Sequence, residues 1–154
     1  MTAGENENMD TAIREEDLRS IVESIWAAML GIPIEYLGPD PGRGLEGEYS
    51  ATIAISGNWE GALAVSCSEG LARFVGAALF QQDPWELEGD ASMEAILELT
   101  NMIGGNVKAL VGEGNRLGLP QTRTNDAEPL PGSEEARMLF DCLGEPLGLQ
   151  VVRK

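Results

Sequence analysis

Apolar residues recur at helical spacing over three stretches of the chain and at alternating spacing over several shorter ones. Placed at about 100° per residue, the helical period, the stretch Met93–Val111 divides in two. Ile96, Leu99, Ile103, Val107 and Leu110 fall on one side, with Met93 and Val111 at its margin. Glu94, Glu98, Asn101 and Gly105 fall on the other, with Met102 and Ala109 beside them. This predicts an amphipathic helix packed on a core. Its polar face is unusual, because a solvated face normally carries Lys–Glu pairs at i, i+4. Here it carries carboxylates, an amide and the Gly104-Gly105 pair. An interior glycine costs a helix about 1 kcal/mol relative to alanine, so something either packs close to this backbone or approaches it from outside. For Gly104 both readings stand, the close packing being against a sister helix. For Gly105, on the Glu98–Asn101 face, approach by a partner is favoured.

A second helical pattern runs from about Ile13 to Leu30. Glu15, Glu16 and Asp17 in its first turn suit the positive end of the helix dipole, and Gly31 and Pro33 end it. Ser68 is the expected N-cap of a further helix, Glu69–Phe80, with Leu71, Phe74, Val75, Ala78 and Leu79 as its buried stripe. Strands are expected at Ile34–Leu37, Leu45–Ser56, Trp59–Cys67, Ala136–Cys142 and Leu147–Val152, with hairpins around Ser56-Gly57-Asn58 and Gly144-Glu145-Pro146. Gly38–Gly44, Gly112–Gly118 and Asp126–Ser133 read as loops and turns. Trp85, in the acidic connection Gln81–Asp90, is either a partner anchor or a rim residue of the core, and the rim reading is preferred. Residues 1–12 are expected to be a polar tail and residues 13–154 a single domain.

Composition narrows the chemistry. At 154 residues the chain can bury a sizeable core without a metal or disulfide staple. A net charge of −16 argues against nucleic acid or anionic membrane as partner. No apolar run approaches the ~20 residues of a membrane span. The acidic, polar start is the opposite of a signal peptide, which points to a cytoplasmic address. Cys67 and Cys142 form no CxxC pair and read as buried thiols. With no histidine in the chain, His-based triads and the common zinc sites are excluded. Any catalysis must use carboxylate, amide, lysine or hydroxyl groups, or borrow a metal from a partner.

The string Glu98-Leu99-Thr100-Asn101-Met102-Ile103-Gly104-Gly105-Asn106-Val107-Lys108 resembles the signature helix of the CheC/CheX/FliY family of bacterial chemotaxis phosphatases, CheX-like members most of all. That signature is a Glu, two residues, an Asn, then Gly-Asn and a Lys one turn further on. Ile55-Ser56-Gly57-Asn58-Trp59-Glu60-Gly61 resembles the hairpin of CheX-like sequences, and Leu117-Gly118-Leu119-Pro120 their exit into a strand. The resemblance covers residues 53–120 best. Where many members have Asp or Ser four residues before the glutamate, this chain has Glu94.

The resemblance implies an α+β, CheC-like fold: a mainly antiparallel sheet of about six strands with long helices packed on it, built from two pseudo-duplicated αβββ halves. It implies that Glu98 and Asn101 act on the aspartyl-phosphate of a CheY-like response regulator. Asn101 would position the attacking water, and Glu98 would dock on the receiver's lysine. Glu94, Met102, Gly105, Asn106 and Lys108 would lie in the partner-binding surface. No cofactor of its own is implied, and Mg2+ is expected on the receiver. The alternative is a non-catalytic CheX-like binding module in a two-component or flagellar-switch pathway. A homodimer is compatible with the family, and the identity of the regulator is left open. A faint internal echo sets Glu23-Ser24-Ile25-Trp26 against Glu98-Leu99-Thr100-Asn101, with Trp26 in the amide's place. If the echo holds, the protein has one site.

Overall fold

Helix α1, Glu15–Ile25, buries Leu18, Val22 and Ile25 and exposes its acidic first turn. In this computed structural model, which describes residues 13–40, 47–124 and 127–154, α1 ends differently from a plain α-helix. Its last turn, Trp26–Leu30, widens to π-type spacing, and Gly31 N–H donates to the Trp26 carbonyl at 2.9 Å. Gly31 adopts φ 64°, a left-handed conformation that glycine enters without a Cβ clash. The expected tail falls outside the described residues, as do residues 41–44 of the expected Gly38–Gly44 loop, residues 45–46 of the strand expected after it, and Asp126 of the later turn.

Among the described residues seven strands form one sheet. They are β1 Glu35–Pro39, β2 Tyr49–Gly57, β3 Gly61–Cys67, β4 Asn115–Leu117, β5 Gln121–Thr122, β6 Ser133–Cys142 and β7 Glu145–Arg153. The order is β1-β6-β7-β3-β2-β4, with β5 also pairing β2, and all pairings are antiparallel. Helix α2 spans Glu69–Phe80 and α3 Gly89–Leu110. The Ser68 hydroxyl accepts from Leu71 N–H at 3.2 Å, the cap the sequence predicts. The β6–β7 hairpin turns at Leu143-Gly144, both with positive φ (53° and 86°), which suits the right-handed twist of the strands it joins. The order reads alike from both edges when β1, β6 and β7 are exchanged for β5, β2 and β3.

Alternate residues of the central strands point to the helices. Ala51, Ile53 and Ile55 of β2, Leu63, Val65 and Cys67 of β3, Met138 and Phe140 of β6, and Leu147, Leu149 and Val151 of β7 are buried in one cluster with the helical stripes. Burying each large side chain contributes about 1.5–3 kcal/mol. No helix among the described residues is long and apolar enough to cross a membrane.

Several expectations are corrected. β1 runs on through Gly38 to Pro39, so the loop begins later than the glycine there implies. The expected loop Gly112–Gly118 contains β4, which extends the sheet because Ile55–Gly57 leave an open edge beyond the β3 pairing. Leu110 is 44% exposed rather than part of the core stripe, while Val107 and Val111 on either side of it are buried in the core and take its place. Trp85 is 77% exposed and belongs to no core rim.

Candidate functional site

Helix α3 presents the candidate residues, and its buried side explains how rigidly it can do so. Ser92, Ala95, Ile96, Leu99, Thr100, Ile103 and Val107 are all within 2% of full burial, a stripe wider than the large apolar residues alone. The Thr100 hydroxyl donates to the Ile96 carbonyl at 2.7 Å, which satisfies it without breaking the apolar surface. Gly104 sits over the sheet. A Cβ there would lie 2.9 Å from Ile53 Cγ2 and 3.1 Å from Leu117 Cδ1. Of the two readings of Gly104, close packing is therefore the one realised, but against strands β2 and β4 rather than a sister helix. The sister contact is made elsewhere, at Gly76 of α2, whose Cβ position lies 3.5 Å from the Ala95 methyl.

Gly105 differs from its neighbour. Only Leu117 Cδ2, at 4.0 Å, comes near the position a Cβ would take. Around this bare backbone lie Glu94, Glu98 and Asn101. At 100° per residue these four residues fall within about 60° of arc, with both glutamates exposed and Asn101 half-buried. Among the described residues, neither Glu98 nor Asn101 is engaged by a hydrogen bond or ion pair. A free carboxylate and a free amide one helical turn apart can receive a cation and orient a water, respectively.

The remaining candidates are spread more widely. Lys108 is half-buried at the edge of this face and borders a cleft with Gly105, Ala109, Gly112, Glu113, Gly114 and Asn115. Met102 lies at the opposite edge, where it meets Ile25, Met29, Leu30, Val75, Leu79 and Leu99 between the three helices. Asn106 is exposed but turned about 100° from Gly105, and its amide donates to the Met102 carbonyl at 2.8 Å. The structure thus unites Glu94, Glu98, Asn101 and Gly105, flanks them with Met102 and Lys108, and sets Asn106 apart.

Two supporting features escaped the sequence reading. Asn115 is buried after the end of α3. Its Oδ1 accepts from Trp59 N–H at 2.8 Å and its Nδ2 donates to the Gly112 carbonyl at 3.0 Å. This ties the exit of α3 to the β2–β3 hairpin. Leu117 of β4 packs beneath the glycine pair. A lone Asn after Gly-Glu-Gly was the available signal for the first, and nothing in the local pattern marked the second.

Perturbed titrations lie away from this face. Burial pushes the Cys67 thiol up to about 12, helped by the Glu48 and Glu145 charges. Burial also raises Cys142, against the opposing effect of the Trp26 N–H. The Arg137 hydrogen bond holds Glu134 below its ordinary value. Among the described residues no cluster of three or more acidic, Cys or His side chains could hold a metal ion.

Solved structures share this fold. The chemotaxis protein CheX from Vibrio vulnificus aligns with a TM-score of 0.72 at 17% identity, covering 91% of this chain and 95% of that one. The CheX–CheY–BeF3–Mg2+ complex from Borrelia burgdorferi aligns with a TM-score of 0.72 at 17% identity, over 93% and 99%. A CheC-like superfamily protein from Shewanella sp. PV-4 aligns with 0.69 at 15% identity, over 100% and 99%. At these identities the likeness is one of fold. A comparison with curated protein sequences finds no match. The family model described as chemotaxis phosphatase CheX matches residues 49–142, which include β2, β3, α2, α3, β4, β5 and β6. The chain belongs to the CheX family of chemotaxis phosphatases.

Proposed function

We propose that this protein hydrolyses the aspartyl-phosphate of a CheY-like response regulator, with α3 as the docking and catalytic element. The observation that carries the reading is the single face on which Glu98 and Asn101 stand unengaged beside the open backbone of Gly105. Family membership supports the reaction class, and the Borrelia burgdorferi complex supports a receiver as the kind of partner.

Hydrolysis of an acyl phosphate needs water in line with the breaking P–O bond. A receiver with its own Mg2+ and lysine already neutralises the phosphoryl oxygens. What it lacks is a group that holds the water. Asn101 accepts from that water with no change of protonation state, so its contribution is orientation. A 100-fold acceleration requires only about 2.7 kcal/mol. Glu98 pairs with the receiver's lysine and fixes the register of docking. It is not a general base, because a loose phosphoryl transition state needs little proton abstraction. Lys108 and Met102 form the edges of the contact.

The test is the decay of phosphorylated receivers from the same cell. Asn101→Ala is expected to bind nearly as wild type and to lose roughly 100-fold or more in rate at saturation. Glu98→Ala should weaken binding by about 1.5–3 kcal/mol, and the deficit should shrink at high salt. Asn101→Gln, which moves the amide outward by one methylene, should bind normally and lose most of the rate. Hydrolysis by Asn101→Ala at the wild-type rate would transfer the protein to the binding-module class.

A further inference from the structure

The connection between α2 and α3 holds a tryptophan in solvent. Pro84–Glu86 forms a short 3-10 turn, closed by Glu86 N–H donating to the Asp83 carbonyl at 3.0 Å, and Trp85 at its middle is 77% exposed. The turn is held from two sides. Arg73 of α2 donates to the Pro84 and Leu87 carbonyls at 3.2 and 3.3 Å while pairing with Glu69 at 3.1 Å. Leu87 is 5% exposed and seats in the α2–α3 groove, its Cδ1 occupying the space a Cβ on Gly76 would need. The backbone that carries this large apolar side chain is thereby held on a firm base, so the turn has little freedom left to lose on binding.

Apart from Arg73, which is paired with Glu69, the charge along this segment is acidic. Asp83, Glu86, Glu88 and Asp90 are exposed, and Glu94 and Glu98 continue from Asp90 at i+4 and i+8 along the outer side of α3. Among the described residues, none of these six carboxylates is in an ion pair. The stripe repels itself, and a surface that covers it offsets that repulsion only if it is basic. From residue 89 to Asn101 is about 18 Å along the helix axis. A standard docking patch of ~800 Å2 per partner is roughly 30 Å across, wide enough to take in the helix surface from Asp90 to Asn101.

Building on the receiver reading above, we propose that Trp85 is the apolar anchor of the same docking face. It seats in an apolar notch of the receiver, flanked by basic residues that neutralise the Asp90–Glu94–Glu98 stripe. Tryptophan is among the residue types most enriched where a few side chains dominate binding. Asn101 supplies chemistry at one end of the face, and Trp85 supplies affinity and choice of receiver at the other.

The test uses the full chain labelled with 5-fluorotryptophan and unlabelled receivers held active by beryllofluoride and Mg2+. Trp85→Phe assigns the exposed fluorine resonance. The expected results are a shift of that resonance when receiver saturates the protein, and a tenfold or greater loss of affinity in Trp85→Ala at an unchanged melting temperature. An unmoved resonance with unchanged affinity overturns the proposal and leaves the phosphatase reading standing. So does a resonance that moves with the concentration of the protein alone, which assigns the anchor to a second copy. Asn101→Ala serves as the control for partner identity. If neither it nor wild type binds any receiver, the functional reading fails first, and the anchor with it.

Discussion

Helices α1 and α3 each place a glutamate three residues ahead of a hydrogen-bonding side chain, yet only α3 offers both groups to a partner. In α1, Glu23 is paired with Arg19 at 3.4 Å. Trp26 is 1% exposed, and its indole N–H points to Cys142 Sγ at 3.3 Å. In α3, Glu98 and Asn101 have no such engagements among the described residues. The spacing is the same and the rotation about the axis is not. Trp26 lies on the buried side of its helix, next to Ile25, and the backbone widens there into the π turn. Asn101 lies past the edge of its stripe. A Glu-x-x-X pair becomes a surface only when the core claims neither member.

The comparison can be broken at several points. The largest effect is expected at Trp26. Trp26→Ala should destabilise the protein by about 3–5 kcal/mol in chemical denaturation, the usual loss for a buried large aromatic. Receiver binding by the fraction still folded should be unchanged. A stable variant with impaired receiver turnover would place Trp26 at a working surface and make the two helices equivalent.

The glycine pair of α3 sharpens the contrast at a smaller scale. Gly104→Ala forces a methyl against Ile53 and Leu117 and should destabilise by about 1–3 kcal/mol, the range for overpacking. Gly105→Ala meets open space and should stabilise by about 0.4–1 kcal/mol. Gly105→Leu should keep the melting temperature and lose receiver binding by steric block. Equal stability effects at the two positions would mean that α3 does not sit on β2 and β4 as described.

The two thiols report on packing, Cys142 through the Trp26 indole N–H that points at its sulfur. Cys67, with its thiol near 12, holds about one thiolate in 10⁴ at pH 8 and should resist iodoacetamide until the protein unfolds. Cys142 should resist in wild type and label first in Trp26→Ala, followed by mass spectrometry. Cys67 also makes stability pH-dependent. Its folded pKa is raised above the ordinary 9, so its contribution is complete below about pH 9 and is lost as pH rises toward 12. The smallest change is expected for Glu23→Ala, which removes an exposed i, i+4 pair and should alter stability by no more than about 0.5 kcal/mol.

Much of this could be read from local periodicity. The Ser68 cap, the span of α2, the stripe Ile96–Leu99–Ile103–Val107 and the two hairpins follow from rules that act over one to four residues, so the sequence carries them directly. The Glu98–Asn101–Gly105 face was legible for the same reason: residues on one side of a helix are neighbours whatever the helix rests on. What the sequence could not decide was anything set by a second element. Gly104 and Gly105 are adjacent and identical, and only the side chains of Ile53 and Leu117 make one a packing contact and the other a bare surface. Leu110 continues the apolar period yet is 44% exposed, while its neighbour Val111 is buried in the core. Trp85 is as hydrophobic as the buried Trp26 and Trp59, yet the Arg73 and Leu87 contacts hold its turn over a groove already filled. Periodicity states which way a side chain faces. Whether anything stands there to bury it depends on contacts between residues far apart in the chain, and those exist only once the sheet and helices have assembled.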